Sequence, residues 1–312
     1  GPGGLFGAAR KVYTRPGAAR TAAREGCPMV NDAQQAGDFD LSVIVPVHNA
    51  ERHLEKLAGT VFGLGRKGLR CQMICVDDAS SDASPAILRD LAATHPDLIA
   101  ILGDDNRGAG IARNEGWPLA SGRYALFFDA DDILHGEVLA DAIRDMDAAP
   151  DIDLAMFAYR YEREETASFT DMNYDDRKTL DLLLKGQAVE TGRIEDMAGL
   201  LTFTNYPWNK LLRTAHYRDR GMRFGRTRVN NDILGHWHGL LLARAIMLRD
   251  AVLCTHVVHP AGTNLTNAFG VVALVAMVGG HECAVVTAAR RWPGARVPVP
   301  GFGSSDCSRC PA

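Results

Sequence analysis

The chain has 312 residues, 46% of them apolar and 23% charged, which fits one large or two small globular domains of soluble type. Its 34 Lys and Arg against 38 Asp and Glu leave a formal charge of −4, which disfavours a nucleic-acid binder, because such a protein needs a basic excess. No apolar run reaches the ~18–20 residues that span a bilayer; "VVALVAMVGG" at 271–280 is expected as a buried strand or helix.

Residues 1–38 are rich in Gly, Ala and Arg, lack apolar periodicity and read as a disordered or linker extension. Its cluster Arg10, Lys11, Arg15, Arg20 and Arg24 would alternatively serve as a targeting segment or a basic arm on anionic lipid. From residue 41 the pattern changes. Strands are expected at Leu41–Val47, Cys71–Val76, Leu98–Leu102 and Tyr124–Phe128, and helices at Glu51–Leu64, Ser84–Thr94 and Gly108–Ala120. Short apolar strands alternating with helices imply an α/β fold: a mostly parallel sheet with helices on both faces. Farther on, Gly136–Ala148 reads as helix and Leu154–Tyr159 as strand. Residues 160–178 read as a long polar connection, Trp208–Tyr217 and Asn230–Arg244 as helices, and Ala251–Val258 as strand. Cys71 and Cys75 read as core residues of a reducing compartment, and Cys307 and Cys310 as tail thiols, since a zinc site needs about four ligands.

In such sheets ligands bind at the carboxyl ends of the strands. Here those ends are polar: Pro46–Asn49, Asp77-Asp78 and Asp129–Asp132. Adjacent carboxylates at Asp77 and Asp78 point to opposite faces, so one is free for a base or ribose while the other holds the turn. Helix capping by Ser81 or Asp82 accounts for part of that segment, but not for two acids inside the strand end. Asp129 and Asp131, separated by small Ala130, form a D-x-D; Mg²⁺ or Mn²⁺ is usually held by one or two carboxylates plus substrate phosphates. Gly108 and Gly110 open a helix start that attracts phosphate, and Arg107 and Arg113 could pair with a diphosphate or pack a base. An ordinary glycine-rich helix entry with surface arginines is an equal reading of that spacing.

The set "SVIVPVHNAE", "VDDASSDAS", "NRGAGIARNEG" and "GRYALFFDADD" resembles the family-2 glycosyltransferases of GT-A fold, in order and spacing over residues 41–134. "WNKLLRTAHYRDRGMRF" at 208–224 resembles the family's segment before the acceptor region. "VNNDILGHWHGLLLARAI" at 229–246 resembles its E-D helix, with Asn231 where Glu is usual and Asp232 kept. The resemblance implies a GT-A domain over 39–265, with a nucleotide-sugar half at 39–135 and an acceptor half at 136–265, followed by a tail of unassigned role at 266–312. It implies a nucleotide wall from Pro46, Val47 and Asn49, Asp78 on the base, Arg113 and Asp129 near the nucleotide, and Asp129 and Asp131 on the metal. Asp232 would be the base for the acceptor hydroxyl, with Trp208, Asn209, Lys210 and His236 on the acceptor side.

The expected activity is metal-dependent, inverting transfer from a nucleotide-sugar donor, UDP-linked, to a glycan or lipid-linked acceptor. The expected setting is cytoplasmic, with peripheral membrane association at the inner face. A sugar-phosphate nucleotidyltransferase is set aside, because "VHNAERH" stands where its Gly-rich loop belongs. A non-catalytic nucleotide-binding GT-A module is the alternative. Plainer roles stand beside these: Asp232 is also a good helix N-cap, and His236 and Trp208 are also ordinary core residues.

Overall fold

A computed structural model describes residues 10–14 and 39–258. In chain order these form β1 (Lys11–Tyr13), β2 (Phe39–Val47), α1 (Leu54–Gly63), β3 (Cys71–Asp77), α2 (Ser84–Thr94), β4 (Leu98–Leu102), α3 (Ala109–Gly116) and β5 (Gly122–Phe127). They continue with β6 (Ile133–Leu134), α4 (Glu137–Ala148), β7 (Ile152–Arg163), β8 (Ser168–Asp171), α5 (Tyr174–Leu184), β9 (Val189–Gly192), β10 (Lys210–Arg213), α6 (Thr214–Asp219), α7 (Asp232–Leu242) and β11 (Ala245–Val258). The readings of 266–312, of the apolar run 271–280 and of Cys307 and Cys310 lie outside the described residues, as does most of 1–38.

One sheet carries the fold, in the order β1-β4-β3-β2-β5-β10-β7-β11-β6, with β8 on β7 and β9 on β11. Its nucleus is parallel: β3 pairs β2 and β4, and β2 pairs β5. Every residue of β3 is buried, so the strand shows no polar alternation, as expected of a parallel strand covered on both faces. The chain runs outward from β2 to β3 to β4 and then returns past β2 to β5. Right-handed crossovers put α3 on the opposite face from α1 and α2. The reversal leaves a crevice between the ends of β2 and β5, where open α/β sheets bind ligands.

Beyond β5 the sheet is mixed. β10 runs antiparallel between β5 and β7, and β7 is parallel to β11. The core is continuous across this seam, from Ile44 and Ile74 through Leu126 and Leu211 to Met156 and Leu248, all fully buried. Cys71 and Cys75 are buried in β3, and burial pushes both thiols up to about 12.

The structure corrects three sequence expectations. Residues 210–213, expected within a helix, form β10, because both edges of that slot offer unpaired strands. The polar stretch 160–178 is a hairpin: β7 runs on to Arg163, turns and returns as β8, and α5 starts at Tyr174. Residues 11–13, inside the expected extension, pair with β4 as an edge strand. Among the described residues no helix is long and apolar enough to cross a membrane.

Candidate active site

The polar strand ends are stitched to one another. Pro46 and Val47 close β2, and the Val47 carbonyl accepts the Asp78 N–H at 2.8 Å. Asn49 turns the chain with φ +53°, a left-handed conformation that Asn tolerates better than most residues. Its side-chain oxygen accepts the Ser81 N–H at 2.8 Å, and its own N–H donates to Ser80 Oγ at 2.9 Å. Asp77 does the turn-holding expected of one acid of the pair, since its Oδ2 accepts the Ser80 N–H at 3.3 Å. Asp78 is buried, and its carboxylate accepts the N–H groups of Arg107 at 2.9 Å and Gly108 at 2.6 Å. Gly108 has φ +92°, which a side chain would strain, so glycine there lets the loop close over Asp78.

A second set of bonds links the end of β5 to the start of α7. The Arg113 guanidinium is buried and donates to Asp129 at 2.5 Å and to the Asn231 side chain at 2.8 Å. It also lies 5.2 Å from the Phe224 ring centre, a cation–π contact that shields it from water. Arg113, read from the sequence as a partner for a diphosphate or a base, here contacts Asp129, Asn231 and Phe224. Asn231 occupies the N-cap position of α7, and the Arg113 fork fixes it. Asp232 begins the helix beside it, partly exposed. Burial raises its carboxyl above the usual range, against the lowering pull of Arg113. A carboxylate raised in this way is a better proton acceptor near neutrality than an ordinary one.

Asp129 and Asp131 are both partly exposed, whereas Asp132 behind them is buried. Asp132 Oδ1 accepts the Val257 N–H at 3.0 Å and pairs with His256 Nδ1 at 2.8 Å. Burial raises the carboxyl of Asp132; burial also opposes charge on His256, but the Asp132 hydrogen bond and charge prevail and raise it. The third acid of the cluster thus anchors the loop to β11. His256 lies 124 residues from Asp132, and no sequence signal joined the two. Among the described residues no three His, Cys, Asp or Glu side chains could hold a metal alone. Two carboxylates completed by phosphate oxygens suit Mg²⁺ or Mn²⁺, which keep much of their shell for water and phosphate, so the acids present fit such an ion.

The four acceptor-side candidates are placed in the core. Trp208 and Asn209 are 0% exposed, and Lys210 and His236 2%. Trp208 stacks on Tyr206 with ring centres 4.3 Å apart, and edge-on Tyr159 closes the block. His236 Nε2 meets the Leu200 carbonyl at 3.2 Å, so it does not orient Asp232. Lys210 Nζ donates to the Tyr206 carbonyl at 2.6 Å and to Asn209 Oδ1 at 2.7 Å. Burial pushes its amine down to about 7, although Asp232 and Asp176 pull it up. Open ground lies instead beside Asp131, in a cleft of about 200 Å³ lined by His53, Lys56, Thr60, Glu162 and Glu164.

A parallel nucleus with carboxylates at two strand ends, one of them a D-x-D, and a further acid at the start of α7 defines a ligand-binding α/β domain. The family model for glycosyl transferase family 2 matches residues 42–234, and the chain belongs to that family. It is 33% identical to the minor teichoic acid biosynthesis protein GgaB of Bacillus subtilis over 32% of this chain and 11% of that protein. It is 35% identical to the putative teichuronic acid biosynthesis glycosyltransferase TuaG of B. subtilis, over 30% of this chain and 36% of that one. These matches span less than half the length of either relative. S. aureus TarS 1–349 in complex with UDP-GlcNAc shares the fold with a TM-score of 0.59 at 21% identity, covering 75% of this chain and 62% of that one.

Proposed function

We propose that this chain is a metal-dependent, inverting glycosyltransferase that moves a sugar from a UDP-linked donor to a hydroxyl of a glycan or lipid-linked acceptor, in cell-surface glycan synthesis. The observation that carries the reading is the Arg113 bridge. It joins the D-x-D acid Asp129 to Asn231, the residue directly before the helix-start acid Asp232. Membership of family 2 supports the activity, and the teichoic and teichuronic acid relatives support the kind of product. TarS solved with UDP and with UDP-GlcNAc supports the donor nucleotide. A Pyrobaculum calidifontis mannosyltransferase of similar fold, solved with GDP-Man and Mn²⁺, supports a divalent ion (TM-score 0.50, 19% identity).

In this reading Asp78 accepts an N–H of the base, within the wall formed by Pro46, Val47 and Asn49. Asp129 and Asp131 would hold Mn²⁺ or Mg²⁺, which supplies neutralising charge to the leaving diphosphate. Asp232 accepts the proton of the acceptor hydroxyl as that oxygen attacks the anomeric carbon from the face opposite the leaving group. One displacement inverts the configuration. The acceptor enters by the cleft beside Asp131. A nucleotide-sugar donor suits a cytoplasmic setting, as do the free buried thiols of Cys71, Cys75 and Cys254. A lipid-linked acceptor would bring the protein to the inner membrane face.

The test is release of UDP from UDP-sugars with and without Mn²⁺, together with calorimetric titration of UDP. Asp131→Ala should abolish turnover and weaken UDP binding only when the ion is present, because its carboxylate reaches the phosphates through the ion. Equal UDP affinity with and without metal in the native protein would overturn the metal assignment.

A further inference from the structure

Strand β1 lies antiparallel on the outer edge of β4, with Lys11 opposite Leu102 and Tyr13 opposite Ala100. Tyr13 packs against the core, and the Arg89 guanidinium of α2 lies 5.4 Å from its ring centre. This docking carries Arg10 past the end of β4, to the carboxyl end of the sheet. There its Nη1 donates to the Asp77 carbonyl at 3.1 Å. Its Nη2 lies 3.0 Å from a Glu115 carboxylate oxygen and 3.9 Å from Asp78. Gly103 provides the room: a Cβ there would fall 1.4 Å from Arg10 Nη1.

These contacts close a ring of alternating charge. Arg10 meets Glu115, Glu115 pairs with Arg107, and the Arg107 backbone N–H donates to Asp78, which lies back beside Arg10. Four polar atoms of the neighbourhood, Arg10 Nη2, Asp77 Oδ1, Arg107 Nε and Glu115 Oε2, are buried with no hydrogen-bond partner, although Arg10 Nη2 and Glu115 Oε2 face each other as an ion pair at 3.0 Å. Unmatched buried groups at the mouth of a crevice are costly unless a bound molecule satisfies them.

We propose that β1 is part of the donor site, and that Arg10 is a positioning residue that fixes Asp78 and the 103–108 loop for recognition of the nucleobase. The inference rests on the reading that Asp78 faces the base. A carboxylate that selects a base must be held in one orientation. Arg10 holds it there, from 3.9 Å away and through Glu115 and Arg107. Without it Glu115 keeps one cation, and the loop that donates two N–H groups to Asp78 loses its outer wall.

The experiment titrates the full chain, in Mn²⁺, with UDP, GDP and inorganic pyrophosphate, and records the melting temperature of each variant. Arg10→Ala should lose about ten-fold in affinity for the preferred nucleotide, the size of one charge-assisted hydrogen bond. Its preference between the two bases should shrink, and pyrophosphate affinity should stay unchanged, because no phosphate contact is touched. Arg10→Lys should recover part of the loss. Tyr13→Ala, which loosens the strand away from the crevice, should reproduce it in weaker form and keeps the test decisive if Arg10→Ala does not fold. Native base preference in a folded Arg10→Ala would overturn the inference, as would equal losses for nucleotide and pyrophosphate. A native protein that bound neither nucleotide would instead remove the donor reading itself.

Discussion

Asp232 is a carboxylate that its surroundings would rather keep protonated. Burial raises its pKa above the ordinary 3.8, and Arg113 only partly offsets this. The folded state therefore binds more protons than the unfolded one between the two pKa values, and stability falls as pH rises through that window. Above it the ionised acid weakens the fold, as is common where function and stability compete. Asp232→Asn should lower turnover ~10²–10⁴-fold with donor affinity within a few-fold, while the melting temperature at neutral pH holds or rises. A helix cap would behave differently, since Asn caps about as well as Asp and turnover would barely change. Near-native turnover in Asp232→Asn, measured with the correct acceptor, would remove it from the mechanism. Neighbouring Asn231 now has a physical role as well. Its side-chain oxygen takes one arm of the Arg113 fork at 2.8 Å while Asp129 takes the other. A neutral residue there leaves more of the guanidinium charge for Asp129 and Asp232 than the Glu usual in the family would.

At the scale of elements, α3 is the lever of the site. Its Gly110 lies so close to the 225–231 loop that a Cβ would come 2.2 Å from the Gly225 carbonyl oxygen and 2.7 Å from Asn231 Cβ. Gly110→Ala must therefore push the start of α7 away. We expect a stability loss of ~1–3 kcal/mol, typical of overpacking. Turnover should fall more than nucleotide affinity, because Asp232 moves while Asp78 does not. Equal turnover per folded molecule, with folding checked by circular dichroism, would show that α7 tolerates the shift. The glycine spacing of this entry was visible in the sequence, but its reason was not. The spacing read equally as a phosphate approach and as an ordinary helix entry, and the close approach at Gly110 is from another loop of the protein. The strands β2, β3, β4 and β5 were legible because each is a buried apolar run that ends in polar residues. β10 was not, because "KLLR" has no alternation and is a strand only by virtue of its neighbours. Trp208, Asn209, Lys210 and His236 could be named as a group, but sequence does not tell which side of an element faces the crevice. Arg10 was hidden for another reason: a three-residue edge strand carries no readable period.

Across the whole molecule, the segments before and after residue 135 share one sheet. β10, from late in the chain, fills the slot between β5 and β7, and the core runs through it. The halves should therefore unfold together. Trp117 reports on the first half and Trp208 on the second, so single-tryptophan variants should give coincident urea transitions. Two separated midpoints would mean that the halves are independent and that residues 39–135 fold alone. With one transition, that fragment would be left with the β5 edge bare.

The same insertion has a consequence for synthesis on the ribosome. β5 is complete at Phe127, but the strand that covers its free edge ends at Arg213, 86 residues later. At ~5–20 residues per second, the emerging chain carries an open, apolar-flanked strand edge for on the order of ten seconds. Such an edge is a template for pairing with another chain. The order in which the strands are made, rather than the strength of the finished sheet, is then the step at which this protein is most exposed to aggregation and to capture by chaperones.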